Sequence, residues 1–351
     1  MATVTLTPPP ASDTVIAKKE FINYIHNFRG LAIIFVVAGH LLMKWEDGSV
    51  AHHVFRVIWE NGTVLFIFIA GFLFQFLSKK FEYRSYLKKK VEYVLLPYVL
   101  VSIPIIAYRL ATNDIPGYIT NSHPDFLDWS AGSRLAYFVF TGAHMQQLWF
   151  IPMITLYYVA APLFLYIDRN PVRYTILVPL IVLSCFIRRE PFNDIPMMSL
   201  HFLSVYVFGM FMSRYRQKFL AAADRFSVVI IGVTLVVLAA NLYYYPAHNN
   251  QLNFLQKMLF CATFIYLLWK HDRFIPGFLA SLAEMSFGIF FLHYYTLLVL
   301  KALYEKFAGH PIPGTVLNWS IYLVAVLFIT VAIIRLTKMV FPKISRQLIG
   351  C

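Results

Sequence analysis

The stretch His26-Asn27-Phe28-Arg29-Gly30-Leu31-Ala32-Ile33-Ile34-Phe35-Val36-Val37-Ala38-Gly39-His40 decides the fold. Everything between Arg29 and His40 is apolar or glycine, and Leu41-Leu42-Met43 continues the run. A helix needs about 20 such residues to cross the hydrocarbon core of a bilayer. An ionisable side chain in such a segment is costly, so it marks a functional site by default. On one continuous helix, Arg29 and His40 would fall on the same face, about 16 Å apart along the axis. That spacing places a cation near one mouth of the membrane and an imidazole past its middle. It suits a long ligand with an anionic end at the forked donors of arginine. The reactive end would then reach a neutral histidine acting as general base. The alternatives are an arginine that snorkels to the interface and a histidine bonded between helices.

The remaining sequence has the same character. Of the 351 residues, 59% are hydrophobic, 17% aromatic and 13% charged, against about 25% charged in soluble domains. This composition excludes a soluble enzyme, a disordered chain, a collagen and a coiled coil. The net charge of +13 is explained by basic loops at a membrane, so no nucleic-acid partner is expected. Ten spans are expected near 28–44, 58–78, 91–109, 147–167, 174–187, 197–213, 227–245, 252–269, 279–301 and 316–335. The fold class is thus all-α, a polytopic membrane bundle of about ten transmembrane helices. Residues 1–20 read as a disordered cytoplasmic tail, and 21–351 as one transmembrane domain. With the N-terminus inside, 21 Lys and Arg residues fall on the cytoplasmic side and 8, Arg188 and Arg189 among them, on the outer side. Lys257 lies within a span. The asymmetry predicts that both termini are cytoplasmic.

Several other residues are candidates. Glu60 follows Arg56 by four positions, which allows a helical ion pair or a carboxylate that orients His40 or binds acceptor hydroxyls. Trp149 is either an interfacial belt residue or a stacking platform for a sugar or acyl arm. His293 is a polar group at mid-span. His144 precedes Gln146-Gln147-Leu148-Trp149 and is a candidate for an acceptor cleft. Arg84, Lys88 and Lys90 belong to a basic loop that is either a solvated cytoplasmic stretch or a phosphate contact. The three cysteines are too scattered for a disulfide framework, and no His/Asp/Glu spacing suggests a metal.

Five segments in order resemble the acyltransferase-3 family of membrane acyltransferases. They are Arg29-x10-His40, Asn61-Gly62-Thr63 through Ala70-Gly71-Phe72, Lys88-Lys89-Lys90 leading to Leu95-Leu96-Pro97-Tyr98, Leu148-Trp149-Phe150-Ile151, and Ser286-Phe287-Gly288-Ile289-Phe290-Phe291-Leu292-His293. Ala70 stands where the family often has serine, and Phe290 where it has tyrosine. Lys90 and Tyr93 occupy the nearest register to the family's Arg-x-x-Arg pair. The resemblance implies a multi-pass protein of a bacterial inner membrane. It would move an acyl group, usually acetyl, from cytoplasmic acyl-CoA to a hydroxyl of a cell-surface glycan or lipid-linked saccharide. Arg29 and His40 map onto the family's essential pair. Glu60, Arg84, Lys88, Lys90, Trp149 and His293 are then expected to bind substrate. Acetyl-CoA or another acyl-CoA is a co-substrate, with no bound cofactor, and membrane lipid is a partner. The rival reading is a secondary transporter or flippase of a sugar-linked substrate, with Arg29, Glu60 and His40 as a relay.

Overall fold

The computed structural model describes residues 22–187, 194–244 and 250–351. The tail 1–20, Arg188 and Arg189 lie outside the described residues. The chain opens with α1 (Asn23–Ala38), α2 (Val50–Trp59), α3 (Thr63–Leu77), α4 (Tyr83–Lys90) and α5 (Leu96–Thr112). The short α6 (Gly117–Ser122) and α7 (Ala131–Thr141) follow, then α8 (Phe150–Val159), α9 (Ala161–Arg169) and α10 (Leu177–Phe186). The second half holds α11 (Ile195–Arg214), α12 (Arg216–Arg225), α13 (Ser227–Tyr244), α14 (Asn250–Lys270) and α15 (Gly277–Glu284). It ends with α16 (Ser286–Ala308), α17 (Val316–Val340) and α18 (Ser345–Ile349). The architecture is all-helical among the described residues.

By length and composition, seven helical segments can cross a membrane, or eight if the bent pair α8–α9 counts as one span. Each of the ten expected runs overlaps a helix, though 28–44 leaves α1 at Gly39 and 279–301 crosses the break at Met285. Two of them, α1 and the Pro171–Phe186 segment, are shorter than a full crossing. Each shortening has a local cause. Gly39 closes α1 after sixteen residues. Asn170 caps the segment before Pro171 by accepting from the Val172 N–H, and the chain leaves α10 in an extended conformation at Ile187. α8 and α9 meet at 56° where Pro162 follows the break, because proline cannot donate to the preceding turn.

Polar groups face inward and apolar ones outward, the arrangement that lipid demands. Val228, Val229 and Val236 on α13, and Leu317, Val324, Phe328 and Leu336 on α17, are exposed. Inside, Ser184 meets Ser204 at 2.7 Å and Thr234 meets Thr263 at 2.8 Å. α3 and α11 cross with their backbones close together. A Cβ on Gly71 would collide with the Tyr206 carbonyl, and one on Gly209 with the Phe68 carbonyl. Small residues let two backbones touch where no water drives association. Gly71→Val is therefore expected to destabilise the protein by at least about 1–3 kcal/mol, read as a lowered midpoint in thermal unfolding in detergent. An unchanged midpoint would show that the crossing can spread at no cost.

The segment between α5 and α8 forms a small helical cap. Its own core is Ile106, Ile119, Phe126, Phe138 and Ala143, with Trp129 and Tyr137 packed against it. Gly142 takes φ +68°, and a Cβ there would collide with the Leu148 carbonyl. Only glycine fits there, so the loop folds back and delivers Gln146 and Trp149 to the bundle.

Candidate active site

α1 ends at Ala38, and Gly39 turns the chain before His40. The expectation of one continuous helix from Arg29 to His40 is corrected at its end: His40 lies two residues past α1, although Gly39 keeps a right-handed helical conformation and its N–H bonds to the Phe35 carbonyl. The two residues are nevertheless brought to one line, and α16 draws it. Arg29 donates from Nη2 to Ser286 Oγ at 2.9 Å. The His40 ring lies 5.4 Å from the His293 ring and 6.1 Å, edge-on, from Tyr294. Ser286 and His293 are seven residues apart on α16, two turns and about 10 Å along one face.

The histidines have defined tautomers. His40 Nδ1 lies 2.6 Å from the Val36 carbonyl. A carbonyl only accepts, so Nδ1 carries a hydrogen, and in the neutral ring Nε2 holds the lone pair. His293 Nδ1 likewise faces the carbonyls of Ile289 (2.8 Å) and Phe290 (3.0 Å). His293 is fully buried, and its Nε2 has no hydrogen-bond partner. The second ring therefore presents an unused acceptor beside His40. Tyr294 OH donates to Gln146 Oε1 at 3.3 Å, so the cap reaches the same place.

At the other end, Lys90 stands where α4 gives way to a π-helical turn, Val91–Leu95. Pro97 has no N–H to return to the preceding turn, which favours the wider turn. The Lys90 ammonium lies 4.6 Å over Tyr158 and 5.2 Å over Tyr86. Arg84 and Lys88, one turn apart on the same helix, are exposed.

The other expected site residues lie elsewhere. Glu60 accepts from Arg56 Nε at 2.6 Å, so it forms the helical ion pair. Trp149 is buried at 4% exposure and stacked on Phe202 at 5.7 Å. It is neither an interfacial belt residue nor an open platform. His144 is fully buried, with Nδ1 against the Phe138 carbonyl and Nε2 2.8 Å from Ser102 Oγ. Burial pushes its imidazole down to about 4, so it is a neutral tie between the cap and α5 rather than an acceptor cleft. No cluster of three metal-ligating side chains occurs among the described residues. Sequence reasoning did not single out Tyr294 and Gln146. The signal available for Tyr294 was its place beside His293, and for Gln146 its place in the stretch before Leu148.

No curated protein and no solved structure matches the chain. A family model described as an acyltransferase domain matches residues 22–335, which include Arg29, His40, Lys90, Ser286 and His293. With most of its length inside that match, the chain belongs to the acyltransferase domain family, as an acyltransferase carried by a bundle of apolar, membrane-type helices.

Proposed function

We propose that the protein transfers an acyl group, acetyl in the first instance, from cytoplasmic acyl-CoA to a hydroxyl of a cell-surface glycan at a bacterial inner membrane. The observation that carries this reading is the convergence of Arg29 and His40 on one face of α16, at Ser286 and His293. Membership of an acyltransferase family decides against the transporter reading.

The residues divide the work. Arg29 meets phosphate of the donor, and the pantetheine arm runs along α16 toward His40. His40 Nε2 takes the proton of the acceptor hydroxyl while the oxygen attacks the thioester carbonyl. The C–S bond breaks, and the CoA thiolate leaves with the proton that His40 returns. While His40 is an imidazolium, the lone pair of His293 Nε2 stabilises it. Two neutral imidazoles side by side in an apolar setting suit this role, because a fixed lone pair needs no reorganisation during the reaction.

The test is transfer of acetyl label from acetyl-CoA into lipid-linked and polymeric glycan by membranes carrying the protein, with free CoA as a second readout. Arg29→Gln is expected to raise the KM for acetyl-CoA about 10–100-fold, the worth of a charge-assisted hydrogen bond, with a smaller effect on kcat. No label and no CoA release from wild type in the presence of native glycans would overturn the reading.

A further inference from the structure

After α17 the chain turns back on itself. Ser345 and Ile349 are buried, and Gly350 takes φ +83° against Phe287 and Phe291 of α16. Gln347 Nε2 donates to Glu92 Oε1 at 2.8 Å, which ties α18 to the π-helical turn that follows Lys90. This docking sets the Arg346 guanidinium 4.1 Å over the Tyr93 ring, a cation–π seat that holds its plane. Arg346 is exposed, on a helix that packs both beside Ser286, the residue that holds Arg29, and on the turn after Lys90. None of the three cations forms an ion pair among the described residues. Glu92, held by Gln347, is the carboxylate on the same turn.

We propose that Arg29, Lys90 and Arg346 form one phosphate-binding site, and that α18, beyond the matched residues 22–335, belongs to the ligand-binding machinery. Three like charges gathered at the edge of an apolar bundle repel one another, and a phosphate set among them removes that cost. The two guanidinium forks supply paired donors to phosphate oxygens, and the lysine adds a point charge. The aromatic seats of Arg346 and Lys90 keep both heads in place before the ligand arrives. The phosphate belongs either to CoA, which rests on the function proposed above, or to the headgroup of an anionic lipid.

The full chain is placed in nanodiscs of neutral phosphatidylcholine, and CoA affinity is measured for wild type, Arg346→Gln, Arg346→Lys and Lys343→Gln. A second arm measures retention of phosphatidylglycerol by native mass spectrometry. Arg346→Gln is expected to weaken CoA binding about 10–100-fold, Arg346→Lys less, and Lys343→Gln not at all. Unchanged CoA affinity with lost phosphatidylglycerol would uphold the site and assign it to lipid. Binding of phosphatidylglycerol but not CoA by wild type would sink the donor reading and leave the site standing. If Arg346→Gln moves neither ligand, or wild type binds neither, the proposal is overturned.

Discussion

Replacing His40 by alanine is expected to cut acyl transfer about 10²–10⁴-fold, the usual worth of a positioned general base. The Val36 carbonyl holds the Nδ1 hydrogen at 2.6 Å, so the lone pair of Nε2 is the one offered to the acceptor. His40 sits in the turn after α1 rather than within a helix. Its removal leaves the packing of α1 intact, and the variant is expected to fold. The loss should appear in kcat, with the KM for acetyl-CoA little changed, because Arg29 and not His40 holds the donor phosphate. The measurement is the initial rate of CoA release from membranes at matched protein levels. A rate like that of wild type would mean that another group takes the proton.

Replacing Lys257 by leucine is expected to destabilise the fold by about 1–3 kcal/mol, since the Ile58 carbonyl loses its donor while Val57 keeps Gln256. Lys257 is fully buried and donates to the carbonyls of Val57 (2.9 Å) and Ile58 (2.6 Å). These belong to the last turn of α2, whose carbonyls lose their partners because the chain breaks at Glu60–Gly62. Asn61 takes φ +62° in the break, and its side-chain amide donates to Asn253. Gln256 is a second donor to the Val57 carbonyl, at 3.2 Å. The break is not incidental to the site. A Cβ on Gly39 would press on the Trp59 carbonyl at 3.0 Å, so the end of α2 backs the turn that presents His40. Thermal unfolding in detergent should show a clearly lowered midpoint for Lys257→Leu, and a smaller fall for Lys257→Gln, which keeps a donor. Equal midpoints for wild type and Lys257→Leu would deny the lysine its structural role.

Lys257 also shows where reading a sequence stops short. A charge inside an apolar span signals function by default, and this one instead caps a broken helix. His144 teaches the same lesson, satisfied by Ser102 of α5 and the Phe138 carbonyl. Whether a polar group at depth has a partner depends on helices far away in the chain, and periodicity carries no such information. Lys90 differs from Arg84 and Lys88 only by the direction in which its helix faces. One lies over Tyr158 and the others are exposed.

By itself the sequence determined the all-helical membrane-type architecture, because apolar runs of that length and so few charges leave no other way to satisfy the backbone. It also determined the family, through ordered motifs that run from Arg29 to His293, and it marked Arg29 and His40 as the pair to examine. Tertiary structure alone decided how that pair is aligned. α1 ends at Ala38, and the line that joins the pair runs through Ser286 and His293 on α16, hundreds of residues later. It alone decided that His40 has a second imidazole beside it, and that Arg346 joins Arg29 and Lys90. Those relations are set by which helices touch. Contact between distant segments follows from how glycines such as Gly71 and Gly209 let backbones approach, not from the order of residues along the chain.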